Sequence, residues 1–260
     1  MSRKFFFLIL CGALLTLQSS CQSRVNSPYP IATKEQQLAS FIELGSIRLM
    51  QKDLAGALSE LSKAEKIDPE NTEVLTFLGL TYYQRGDYDL ATEYYLRVLA
   101  LDQSRTEIHN NLGLIYMNQK NFAAAKREFE TCLADKTYPK PYLPNYNLGL
   151  LEEAQGKIEE AEKIYQNLLI ISPQYPPPFN RLGIIYYNRG EYRKAVDYLL
   201  SAVQLDAEYV EAYYFLAQAY EKLGLTEEAA VSYGQVVVLV PNTALAIEAQ
   251  GRARKVLGFE

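Results

Sequence analysis

"NNLGLIYMNQKNFAAAKREFETCL", residues 110–133, is one unit of a pattern that runs through most of the chain. Leu112 is followed by Gly113, and twelve residues beyond the glycine stands Ala125. Phe129 comes four residues after the alanine and Cys132 three after that. The apolar residues fall at helical spacing in both halves of the segment. Two antiparallel helices approach closely only where small side chains meet at their crossing, which assigns Gly113 and Ala125 to that crossing. Leu112 and Phe129 then fill the ridges around it.

The unit recurs. The leucines of the series are Leu44, Leu78, Leu112, Leu148, Leu182 and Leu216, at intervals of 34, 34, 36, 34 and 34 residues. Gly45, Gly79, Gly113, Gly149, Gly183 and Ala217 follow them. Ala57, Ala91, Ala125, Ala161, Ala195 and Ala229 hold the second small position, and Leu61, Tyr95, Phe129, Tyr165, Leu199 and Tyr233 the large one. Such self-similarity over about 34 residues marks a repeat architecture. The pattern resembles the tetratricopeptide repeat, a helix–turn–helix unit. That resemblance implies an all-α solenoid of six repeats over about 36–241. Gly86, Gly156, Gly190 and Gly224 are assigned to turns between the paired helices, where a helix end favours glycine. Each repeat leaves an apolar face open, so neighbours must stack and the last needs a cap. Residues 243–257, TALAIEAQGRARKVL, are predicted to form that capping helix. One loop, ADKTYPKPYLP at 134–144, lengthens the period by two residues.

Composition narrows the function. The chain has 260 residues, 21 tyrosines, no tryptophan and a net charge of −5, which argues against nucleic acid as a partner. One histidine and three scattered cysteines make no His/Cys metal site. There is no nucleophile elbow, phosphate loop or metal-ligand spacing. The chain therefore reads as non-enzymatic, with no cofactor, no metal and no small-molecule substrate. His109 and Cys132 fall on packed helix faces, and the Glu152–Glu153 pair reads as a solvated face.

The N-terminus carries a different message. Ser-Arg-Lys at 2–4 precedes thirteen apolar or small residues, FFFLILCGALLTL at 5–17. That run is too short to span a bilayer and has the form of a signal peptide. Ser19 and Ser20 then precede Cys21, which resembles the lipobox of bacterial lipoproteins, although Gln18 takes the place where leucine is usual. The resemblance implies cleavage after residue 20 and acylation of Cys21 by diacylglycerol with chains of the palmitate type. Residues 1–20 are thus expected to be the signal peptide, 21–34 a lipidated tether and 35–260 the solenoid. Cleavage leaves 24 basic and 31 acidic residues. Gln22, in place of aspartate, is expected to send the protein to the periplasmic face of the outer membrane.

A solenoid of this kind presents residues of each first helix to its concave face. The spacing assigns Leu80 and Tyr83, then Asn110, Leu114 and Met117, then Tyr146 and Leu150, then Asn180, Ile184 and Tyr187, and finally Tyr214 to a partner-binding groove. Apolar anchors with asparagines between them suit a protein segment whose backbone the amides would hold. The lipobox, tether and six repeats together resemble the type IV pilus biogenesis and stability lipoproteins, the PilF/PilW/Tgl pilotin family. The resemblance is sharpest over residues 106–150. It implies a lipoprotein that binds the secretin subunits of the pilus pore and assists their localisation and assembly into multimers. The alternative is a generic periplasmic scaffold for another envelope assembly or export system.

Overall fold

The structure is a computed structural model and describes residues 32–259. The signal peptide, Cys21 and nearly all of the tether lie outside the described residues. The chain forms thirteen helices: α1 (Lys34–Met50), α2 (Leu54–Ile67), α3 (Thr72–Arg85), α4 (Tyr88–Leu101), α5 (Thr106–Asn118), α6 (Phe122–Ala134), α7 (Tyr142–Ala154), α8 (Ile158–Ile171), α9 (Pro176–Asn188), α10 (Tyr192–Leu205), α11 (Val210–Leu223), α12 (Thr226–Leu239) and α13 (Ala244–Val256). Among the described residues there is no strand. Helices α1 to α12 form six successive hairpins, each stacked on the next, and α13 packs against α12.

The crossings lie where the small residues predict. A Cβ added to Gly45, Gly79, Gly113, Gly149 or Gly183 would come within 2.3–2.6 Å of Leu61, Tyr95, Phe129, Tyr165 or Leu199, the large residue of the partner helix. Ala57, Ala91, Ala125, Ala161, Ala195 and Ala229 are fully buried. The stack opens on Thr33, whose hydroxyl accepts from the Gln36 backbone N–H while the Gln36 side chain accepts from the Thr33 backbone N–H. This reciprocal cap fixes the first turn of α1.

The turns inside the hairpins are left-handed throughout. Gly86, Gly156, Gly190 and Gly224 have φ between 74° and 87°, and lysines occupy the equivalent places in the first and third hairpins, Lys52 at 62° and Lys120 at 59°. The long loop before α7 is pinned by Asp135. Its carboxylate accepts from the Thr106 hydroxyl, and from the backbone N–H and hydroxyl of Thr137.

Two outcomes follow. Replacing Ala125 by Leu puts a branched side chain into a filled crossing beside Phe129, and is expected to cost ~1–3 kcal/mol in a urea melt. Replacing Lys120 by Gly removes a strained left-handed lysine. It is expected to stabilise the protein by about 0.5–1 kcal/mol in the same assay, whereas Gly86→Ala destabilises it.

Candidate functional site: the inner face of the solenoid

The first helices of the hairpins form the inner layer, since α1 touches α3, α5 touches α7 and α9 touches α11. Leu80, Tyr83, Leu114, Met117, Tyr146, Leu150, Tyr187 and Tyr214 are half-buried there. Three residues assigned to the groove from the sequence are instead buried: Asn110 and Ile184 at 7% exposure and Asn180 at 0%. Their partners are within the chain. The Asn147 side-chain amide donates to Asn110 Oδ1 at 2.8 Å, and Asn180 Nδ2 donates to Glu211 Oε2 at 2.7 Å. These amides join neighbouring repeats and have no free edge for a ligand backbone.

The aromatic residues divide in the same way. Tyr146 faces inward, with its ring 5.8 Å from Tyr165 and 5.7 Å from Tyr175. Burial raises its phenol well above the ordinary value. Tyr187 donates to Gln218 at 3.2 Å and packs against Tyr192 and Phe215. The Tyr83 hydroxyl accepts from Asn118 at 3.1 Å, and Tyr214 donates to Glu248 on α13 at 2.5 Å. The partly open apolar surface of the middle repeats thus reduces to Leu80, Leu114 and Leu150, one from each of α3, α5 and α7, with Met117 beside them.

Sequence periodicity missed the most open part of the inner face. A cleft of about 400 Å³ lies between α1 and α3, with Leu38, Ile42 and Phe77 among its walls and Glu35, Glu43 and Glu73 around it. All three glutamates are exposed and none has a basic partner among the described residues. The signal that would have found the cleft is the run of acidic residues on the first helices of the first two repeats. Together, cleft and leucine seam give an apolar floor with a negative rim, which selects a protein segment bearing apolar side chains and basic flanks.

The remaining chemistry-bearing residues are structural. His109 Nδ1 lies 2.8 Å from Glu128 across the third hairpin. Cys132 is fully buried, and burial pushes its thiol up to about 11, so the thiolate is suppressed at neutral pH. The Glu152–Glu153 pair is not a solvated face. Glu152 is 5% exposed and held by Lys126 at 3.3 Å and Lys157 at 3.1 Å, while Glu153 bonds to Arg181 of the next repeat. Among the described residues no cluster of His, Cys, Asp and Glu has metal-site geometry, and no helix is long and apolar enough to cross a membrane.

This architecture is that of a protein-binding repeat scaffold. The tetratricopeptide repeat family matches residues 110–176 and 180–252, and a second repeat family matches 79–120. The chain belongs to the tetratricopeptide repeat family. It is 28% identical over 200 residues to the BBSome complex member BBS4 of Bos taurus, covering 77% of this chain and 38% of that one. It therefore spans well under half the length of that relative. It is 25% identical over 165 residues to the type IV pilus assembly protein PilF of Pseudomonas aeruginosa, covering 64% of this chain and 66% of that one. The crystal structures of PilF and of PilW, a type IV pilus biogenesis factor, superpose with TM-scores of 0.66 and 0.67 at 22% and 24% identity. They cover 84% and 82% of this chain and 98% of each of those chains.

The buried Glu152 gives this face an acid response. Burial opposes its ionisation, but the Lys157 and Lys126 ammoniums prevail and hold its carboxyl below the ordinary range. A depressed pKa contributes stability that is present above the unfolded value, near 4.3, and is lost as pH falls through the folded value. Glu152→Gln is therefore expected to destabilise the protein by about 1 kcal/mol at pH 7. That difference should close below the lowered folded-state pKa, as read by chemical denaturation at pH 7 and in strong acid.

Proposed function

We propose that the chain is a non-enzymatic, outer-membrane lipoprotein of type IV pilus biogenesis, which binds secretin subunits and assists their localisation and multimer assembly. The observation that carries this reading is the alignment with PilF, at 25% identity over 165 residues. The Ser19-Ser20-Cys21 sequence supports the anchor. A single lipidated cysteine holds the solenoid at the membrane surface and raises its local concentration toward a membrane-bound partner, without adding a contact. The acidic cleft of α1 and α3 and the leucine seam of α3, α5 and α7 supply the surface for an apolar, basic-flanked partner segment.

A second reading is an envelope scaffold for another assembly system. It is favoured by the match to BBS4, which is at 28% identity and reflects repeats shared by scaffolds of many kinds.

Three measurements in the host separate these readings. Deleting the chain is expected to convert assembled secretin multimers into monomers on a semi-native gel of the envelope. Cys21→Ser is expected to move the protein into the soluble periplasmic fraction and lower the multimer yield. The exposed pair Glu43→Lys and Glu73→Lys is expected to weaken binding to solubilised secretin by tenfold or more, with an unchanged melting temperature. Normal secretin multimers in the deletion strain would exclude the pilus reading and leave the scaffold.

A further inference from the structure

The end of the solenoid is an incomplete repeat. Continuing the 34-residue spacing from Pro176 and Val210 places Ala244 at the first position of another hairpin. Gly251 then falls in the series of Gly45, Gly79, Gly113, Gly149 and Gly183. Gly258 falls in the series of Gly86, Gly156, Gly190 and Gly224, and its φ of 77° lies within their range. Helix α13 is thus the first helix of a seventh hairpin, complete with its left-handed turn. Only Phe259 and Glu260 follow it in the sequence.

The face that a second helix would cover stands open. At the five earlier glycines an added Cβ would come within 2.3–2.6 Å of a large side chain, whereas at Gly251 nothing lies within 4 Å. Ile247 takes the place of Phe41, Leu75, Phe179 and Tyr213, yet it is 68% exposed. Phe259, just past the turn, is 65% exposed. Arg254 takes the place of Tyr82 and Tyr186, whose rings stack on Tyr94 and Tyr198 of their own second helices at 5.4 and 5.3 Å. Neither Arg254 nor its neighbour Lys255 has an acidic partner among the described residues. A helix that only capped the stack would turn a polar face outward. This one turns out isoleucine, a crossing glycine and an unpaired arginine.

We propose that α13 receives an amphipathic helix from a partner protein, which completes the seventh hairpin. Its chemistry follows from the six complete hairpins. A large apolar or aromatic side chain sits over Gly251, with an alanine four residues before it. An acidic residue directly before the large one meets Arg254. The chain's own α6 carries that pattern as Ala125, Glu128 and Phe129. A second copy of this chain is a poor source, because the crossing alanines of its second helices, Ala57, Ala91, Ala125, Ala161, Ala195 and Ala229, are fully buried in their own hairpins. The site is separate from the acidic cleft and does not depend on the pilus reading.

The probe is a stapled, fluorescent helix with the α6 sequence Phe122–Ala134 carrying Cys132→Ala, titrated by anisotropy against the mature chain bearing Cys21→Ser. Saturable binding is expected. Gly251→Ala is expected to raise the melting temperature, since a glycine in an open helix interior is replaced by a better helix former. The same change is expected to weaken probe binding at least tenfold, because the new Cβ meets the incoming ring. Arg254→Glu is expected to weaken binding to a similar degree and to be rescued by a probe carrying Glu128→Lys. Absence of saturable binding would overturn the proposal. So would equal affinity of the Gly251→Ala variant, a failed charge rescue, or a lower melt for Gly251→Ala, which would mean that the face is already covered. A concentration-dependent dimer abolished by Ile247→Asp would assign the face to a second copy instead.

Discussion

Every element of this molecule depends on the closeness of two helix backbones at a glycine and an alanine. Gly113 and Ala125 let α5 and α6 approach until the Phe129 ring lies where a Cβ on Gly113 would be, 2.4 Å away. The large residue is then fully buried by its own hairpin, as Tyr95, Tyr165 and Tyr233 are in theirs. A hairpin this thin cannot enclose the rest of its apolar surface, so each one needs a neighbour and the stack grows in one direction. An inner face lined by first helices follows, and with it the only extended surface the fold offers a partner.

Apolar contact sets the spacing between repeats but is not directional. Their relative rotation is fixed by polar groups that cross each boundary. Arg97 donates to Glu65 at 2.8 Å, Asn147 to Asn110 at 2.8 Å, and Tyr187 to Gln218 at 3.2 Å, while Arg181 pairs with Glu153. Several side chains that look like ligand anchors in a single repeat therefore serve the stack itself. The residues left for recognition are the leucines, which contribute area, and the unpaired glutamates at the N-terminal end, which contribute sign.

The helices were legible because the period is a property of the covalent chain: Leu44 and Leu216 report the same local geometry however the repeats are stacked. The groove was only partly legible for the complementary reason. Whether Asn110 meets a ligand or Asn147 depends on how far one hairpin rotates against the next, and no repeat encodes that alone. Glu152 shows the same limit. It occupies a place where Tyr82, Tyr116, Tyr186 and Tyr220 stand in other repeats, and one of its lysines, Lys126, comes from the preceding hairpin. The α13 helix was predicted as a cap at its observed place, but the outward face of a cap is decided by what fails to pack on Gly251, which only three dimensions show.

The joints between repeats also carry a chemical weakness. The Tyr94 phenol donates to Glu65, the Tyr186 phenol to Glu162, and the Tyr214 phenol to Glu248, each across a boundary in the stack. Burial and then the Glu65 charge push Tyr94 up to about 12. The bond to Glu162 and then burial do the same for Tyr186, and burial followed by the bond to Glu248 for Tyr214, each to about 12. In the unfolded chain these phenols ionise near 10. A raised pKa gives stability that is whole below the unfolded value and drains away as pH climbs through the folded one. Alkali therefore acts on this solenoid at its seams, separating repeats from one another before it disturbs the glycine crossings within them.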